Sequence, residues 1–155
     1  MWAKTKKPVN WVAHKASCTP IAALDLFQCH INSLLDEMDK ALAKREPDYG
    51  FNMERVSDTE LKVMRVPKEG DPHRTTTFMA GSRNITVYYE NQNMYTRETL
   101  TIQLNWDFKH AKCRFEIDGD CMSLWELSQR TLYDLFFRDD NAEGKTHFGG
   151  SGSRA

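Results

Sequence analysis

From Thr99 to Phe108 apolar and polar side chains alternate without a break. Leu100, Ile102, Leu104, Trp106 and Phe108 share one parity, and Thr99, Thr101, Gln103, Asn105 and Asp107 share the other. Successive side chains of a strand point to opposite faces, so this run predicts a strand with one buried and one wet face. A strand of that kind needs paired neighbours and a covering layer before it is stable. The neighbour follows at once: Cys113, Phe115 and Ile117 alternate with Lys112, Arg114 and Glu116, which predicts a hairpin.

The same β chemistry extends back to Tyr49. Turn residues divide it into strands near 49–56, 60–66, 73–80, 84–90, 98–107 and 112–117. Connections this short join neighbouring antiparallel strands, because a parallel crossover needs a dozen or more residues. The expected sheet is therefore a six-stranded, mostly antiparallel meander. In the 84–90 strand, sending Ile85, Val87 and Tyr89 inward leaves Thr86, Tyr88 and Glu90 outside.

Helical periodicity is confined to the two flanks. Thr19-Pro20 is a capped helix start, and Leu24, Phe27, Ile31, Leu34, Leu35 and Met38 then recur at spacings of three and four until Pro47 ends the run. Ser123-Leu124-Trp125-Glu126 is a capping box after the Asp118-Gly119 turn, and it opens a second helix reaching about residue 138 with an apolar stripe that includes Leu127, Leu132 and Leu135. The fold class is α+β, with an N-terminal helix, the meander and a C-terminal helix. Both helices pack on one sheet face.

The chain has 155 residues, 40% of them hydrophobic and 28% charged, which fits one globular domain over 1–138. Residues 1–18 form a basic arm with Lys4, Lys6, Lys7 and Lys15 and no acid, and 139–155, ending GGSGSRA, are expected to be a flexible tail. Cys18, Cys29, Cys113 and Cys121 form no CxxC pair, and the first residues carry no apolar signal segment. The thiols are therefore expected to be reduced, in a cytoplasmic protein. No apolar run approaches the ~20 residues needed to span a membrane, so no membrane partner is expected.

Chemistry-bearing motifs are sparse. His14, Cys18, Cys29 and His30 offer zinc-ligand atoms, but adjacent helical residues ligate one ion awkwardly. Cys113 or Cys121 with His110 or His73 is the thiol-catalysis reading. Cys113 belongs to an apolar strand face, whereas Cys121 lies beside a helix start whose dipole favours the thiolate, making it the expected reactive thiol. Asp118 and Asp120 read as turn chemistry, and no phosphate-binding glycine loop occurs. No catalytic residues, metal or cofactor are assigned.

Arg65, Arg74, Arg83, Tyr88 and Tyr95 lie on or beside the strands and are the expected partner-binding residues of the wet sheet face. Residues 49–117 hold ten Lys+Arg and nine Asp+Glu, so the count itself implies no basic surface. The expected function is a non-catalytic binding or accessory protein that docks a protein on that face. Two alternatives are a single-stranded nucleic acid or RNA binder, using the Arg/Tyr face and the basic arm, and a binder of a small apolar ligand. The last would need a pocket between sheet and helices lined by Tyr88, Trp106, Phe108, Phe115 and Trp125.

Overall fold

The computed structural model describes residues 10–43, 49–67, 74–91 and 98–137. Three helices, α1 (Trp11–Ala16), α2 (Pro20–Leu42) and α3 (Leu124–Phe137), flank a sheet among the described residues. Its strands are β1 (Tyr49–Ser57), β2 (Glu60–Pro67), β3 (Arg74–Ala80), β4 (Asn84–Asn91), β5 (Glu98–Asp107), β6 (Lys112–Ile117) and β7 (Asp120–Met122). They pair in sequence order, each antiparallel to the next. This is the expected α+β meander with one strand more.

The seventh strand comes from the Asp-Gly pair. Asp118 and Gly119 both have positive φ, 52° and 85°, the combination that a two-residue type I′ hairpin requires. The dipeptide therefore turns β6 back on itself, where the sequence suggested a direct strand-to-helix turn. Only after β7 does the capping box act: Ser123 Oγ accepts from the Glu126 N–H at 3.1 Å, and Glu126 Oε1 accepts from the Ser123 N–H at 2.9 Å. The Ser123 backbone N–H first, and then the Ser123 side chain, hold the Glu126 carboxyl below its ordinary pKa.

Helix α2 starts as its sequence dictates, with Thr19 Oγ1 accepting from the Ala22 N–H at 3.2 Å ahead of Pro20. Its buried stripe is Leu24, Phe27, Ile31, Leu35 and Met38. This stripe meets Leu61, Val63, Phe78, Ile85, Val87 and Ile102, all essentially inaccessible to solvent. Phe27 sets its ring edge-on against Phe78 and Phe115, at 5.9 and 5.3 Å, and Phe136 of α3 packs on Phe51 at 5.0 Å. The strand register puts Phe51, Phe78 and Phe115 on one face, so α2 and α3 share it. Each buried side chain of this size contributes about 1.5–3 kcal/mol.

The amino-terminal region differs from the expected arm. Asn10 Oδ1 accepts from the Ala13 N–H and caps α1, whose residues fold back on the far end of β5 and β6. His14 Nδ1 lies 3.2 Å from the Ala111 carbonyl, and Lys15 Nζ sits 5.9 Å from the centre of the Trp106 ring. Cys18 and Cys113 form a disulfide across a Cα separation of 5.3 Å. The expectation of four reduced thiols is thereby corrected: the short helix brings together two cysteines 95 residues apart. Residues 1–9 and 138–155, which include half of the expected arm and all of the expected tail, lie outside the described residues.

Candidate functional site on the open sheet face

Because α2 and α3 occupy one face, the side chains of the other parity are covered by no described helix. The strand register arranges them in cross-strand rows. Lys62, Thr77, Tyr88 and Thr99 form the central row; Glu60, Met79, Thr86 and Thr101 flank it on one side, and Met64, Thr75 and Glu90 on the other. Thr77 is only 4% exposed beneath its neighbours, and its hydroxyl has no hydrogen-bond partner in the structure. Tyr88 is half-buried and shares this face with Thr86 and the exposed Glu90, while Ile85, Val87 and Tyr89 face the core, as alternation predicted.

Toward β7 the face becomes a polar ladder. Asp107 Oδ2 accepts from Arg114 Nε at 2.6 Å and pairs with His110 Nδ1 at 2.8 Å, while Arg114 Nη1 lies 3.2 Å from Cys121 Sγ. The His110 bond first, and then Arg114, hold the Asp107 carboxyl well below the usual carboxylate range. The same carboxylate raises the Arg114 pKa. Asn105 Nδ2 donates to Glu116 Oε1 at 2.8 Å in the adjoining row. Cys121 is exposed on β7, beside this ladder and ahead of the α3 cap. A guanidinium and a carboxylate stand between its thiol and the His110 imidazole in the hydrogen-bond chain, so the imidazole is not placed to take the thiol proton.

The described members of the expected Arg/Tyr set do not share the open face. Arg65 and Arg74 are paired across β2 and β3 on the covered face and are 4% and 6% exposed. Parity is the cause: Arg65 follows Leu61 and Val63, and Arg74 precedes Thr76 and Phe78. The Arg65 guanidinium lies 3.9 Å from the Tyr49 ring centre, and Arg74 Nη1 donates to the Asp134 carbonyl at 3.3 Å, in the last turns of α3. Arg83 is exposed in the turn between β3 and β4, and Tyr95 lies outside the described residues.

The expected pocket lining is also dispersed. Tyr88 faces the open side, Trp106 and Phe115 the covered side, and Phe108 and Trp125 are 88% and 68% exposed. The crevice described between α2, α3 and the sheet, lined by Phe27, His30, Phe78, Ile102 and Ser128 among others, has about 10 Å3, the room of one water. Ser128 Oγ donates to the Trp125 carbonyl and so accepts from His30 Nε2 at 3.3 Å, while burial pushes the His30 pKa down and favours its neutral ring. The four candidate zinc ligands are likewise separated: Cys18 is disulfide-bonded, His14 meets Ala111 and His30 meets Ser128.

Lys109 and the grouping of Asp107, Arg114 and His110 around one carboxylate are features that sequence reasoning did not single out, and Phe108, expected inside, is exposed. The available signal was the stretch from Phe108 to Ala111, where alternation stops and a turn begins. No helix among the described residues is long and apolar enough to cross a membrane. No family model, curated protein or solved structure matches the chain.

Proposed function

We propose that the chain is a non-catalytic binding protein that docks a protein partner on the open face of its sheet. The supporting observation is the central row, where Lys62, Tyr88 and Thr99 surround the buried Thr77 and are left uncovered by α2 and α3, with Thr86 and Thr101 in the next row. A flat face of threonine, tyrosine and methionine offers stiff contact area, with hydroxyls that can pair across an interface. Charge favours a protein over nucleic acid. With Arg65 and Arg74 turned to the core, the open parity carries Glu54, Glu60, Glu90, Asp107 and Glu116 against Lys62, Lys112 and Arg114. A polyphosphate backbone would meet a net acidic surface.

The Cys18–Cys113 bond supports a compartment in which disulfides persist, in place of the cytoplasmic setting that the cysteine spacing suggested. The docking face is tested with a photo-crosslinking residue at Thr86, and at Ser33 on the outer side of α2 as control. A discrete adduct is expected from position 86, absent from position 33 and lost when Thr99 and Thr101 are both changed to Glu. Absence of the adduct at 86, or its persistence in the folded double variant, would count against this face.

A further inference from the structure

Among the described residues, the most exposed large apolar side chain is not on the sheet face but at the end of a hairpin. Phe108 is 88% exposed at the tip joining β5 to β6, next to Lys109 and His110 and one pleat from Lys112. The tip is held firmly. Asp107 Oδ1 accepts the N–H groups of Lys109 and His110 at 3.0 and 3.2 Å, an arrangement that fixes the turn around Phe108. Ala111 is held at a φ of 51°, a conformation an alanine adopts only under local constraint.

Helix α1 is fastened beside this tip by the His14 contact to Ala111 and by the Cys18–Cys113 disulfide. One turn before His14 and Lys15, it exposes Trp11 and Val12, at 60% and 58%. Lys15 on α1, Lys109 in the tip and Lys112 on the opposite face of β6 thus lie at the same end of the sheet as three exposed apolar side chains. Asp107, the carboxylate within the tip, is already engaged by Arg114 and His110.

We propose that α1 and the β5–β6 tip form a docking edge for an anionic bilayer surface. Phe108, Trp11 and Val12 enter the interfacial layer, and Lys15, Lys109 and Lys112 meet the acidic headgroups. Lipid suits this edge better than nucleic acid for two reasons. An aliphatic Val12 adds nothing to base stacking, and an aromatic at the apex of a hairpin is shaped to enter a soft interface where base binding needs a groove or flat platform. The other exposed aromatic surface among the described residues, Trp125, Tyr133 and Phe137 on α3, has one cation on its helix, Arg130, against Glu126 and Asp134, and so carries no net positive charge. The edge shares Lys112 with the open parity, but Phe108, Trp11 and Lys109 lie outside the Thr86 and Thr99 region used to test that face, so either proposal can fail alone.

The test is co-sedimentation of the full, oxidised chain with phosphatidylcholine vesicles, with and without roughly 30% phosphatidylserine. Binding is expected only to the anionic vesicles and should weaken as salt is added. Phe108→Ala should reduce apparent affinity about tenfold. Lys109→Glu with Lys112→Glu should abolish binding, and Trp125→Ala should leave it unchanged. Circular dichroism confirms that each variant is folded. Equal binding to neutral vesicles, no binding to either, or a loss on Trp125→Ala matching that on Phe108→Ala would overturn the proposal. So would capture of single-stranded polyuridylate by a chain that ignores both vesicles.

Discussion

Arg114 donates through Nε to Asp107 Oδ2 across the β5–β6 hairpin at 2.6 Å, and the same carboxylate oxygen takes His110 Nδ1 at 2.8 Å. The carboxyl also gathers two backbone N–H groups of the turn, so one side chain organises the whole tip.

A pH dependence follows from that arrangement. The Asp107 pKa is lowered in the folded chain, first by His110 and then by Arg114, so its contribution to stability is present above the unfolded carboxylate value of about 4 and is lost as pH falls below it. Urea midpoints of the native chain should therefore drop on acidification below about pH 4. Asp107→Asn should be less stable at neutral pH and show a shallower acid limb. Parallel acid limbs for the two proteins would mean that this carboxylate does not carry the effect.

The disulfide makes a second expectation concrete. Cys18 and Cys113 close a loop across a separation of 95 residues, and cross-links of that span typically stabilise by about 2–5 kcal/mol. Replacing both cysteines by serine should lower the melting temperature, and reductant should shift the native chain but not the double variant. Alkylation before reduction should label Cys29 and Cys121 and spare the other two, as peptide mass mapping can show.

Two arginines of similar appearance in the sequence should behave differently. Arg74 is 6% exposed, with a guanidinium bond to the Asp134 carbonyl, so Arg74→Ala loses packing under α3 and leaves that carbonyl without this donor. A loss of about 1–3 kcal/mol is expected. Arg83 is exposed in a turn, and Arg83→Ala should stay within about 0.5 kcal/mol of the native chain. Denaturant titrations of the two single variants check the difference. Equal effects would contradict the burial of Arg74.

What could be read in advance depended on whether a residue's partners were close in sequence. Thr19-Pro20 and Ser123 with Glu126 specify helix starts through bonds spanning a few residues, and both start where they should. The alternation through Ile102 and Leu104 chose a face correctly, because parity is a property of the strand itself. Parity also carried the answer for Arg65, which falls in step with Leu61 and Val63; residue type was allowed to outweigh position. β7 is three residues long, too short for a periodic signal. Nothing local to Cys18 points to Cys113, since the pairing depends on α1 turning back along β6. Phe108 carried the opposite error: its parity continued the core run, but the chain turns at that point and leaves the ring outside.

The pairing of every strand with its immediate sequence neighbours has a consequence for how the chain comes to exist. Such a sheet has low contact order and can zip hairpin by hairpin as it leaves the ribosome, with no distant segment required to close any rung. Helix α2 is synthesised earlier than all of it, and its apolar stripe stays without a surface until β1, β2 and β3 have paired. The vulnerable interval in biogenesis is thus set by the time needed to translate the first hairpins. During it, Leu24, Phe27 and Ile31 are the side chains a chaperone or an aggregate would meet first.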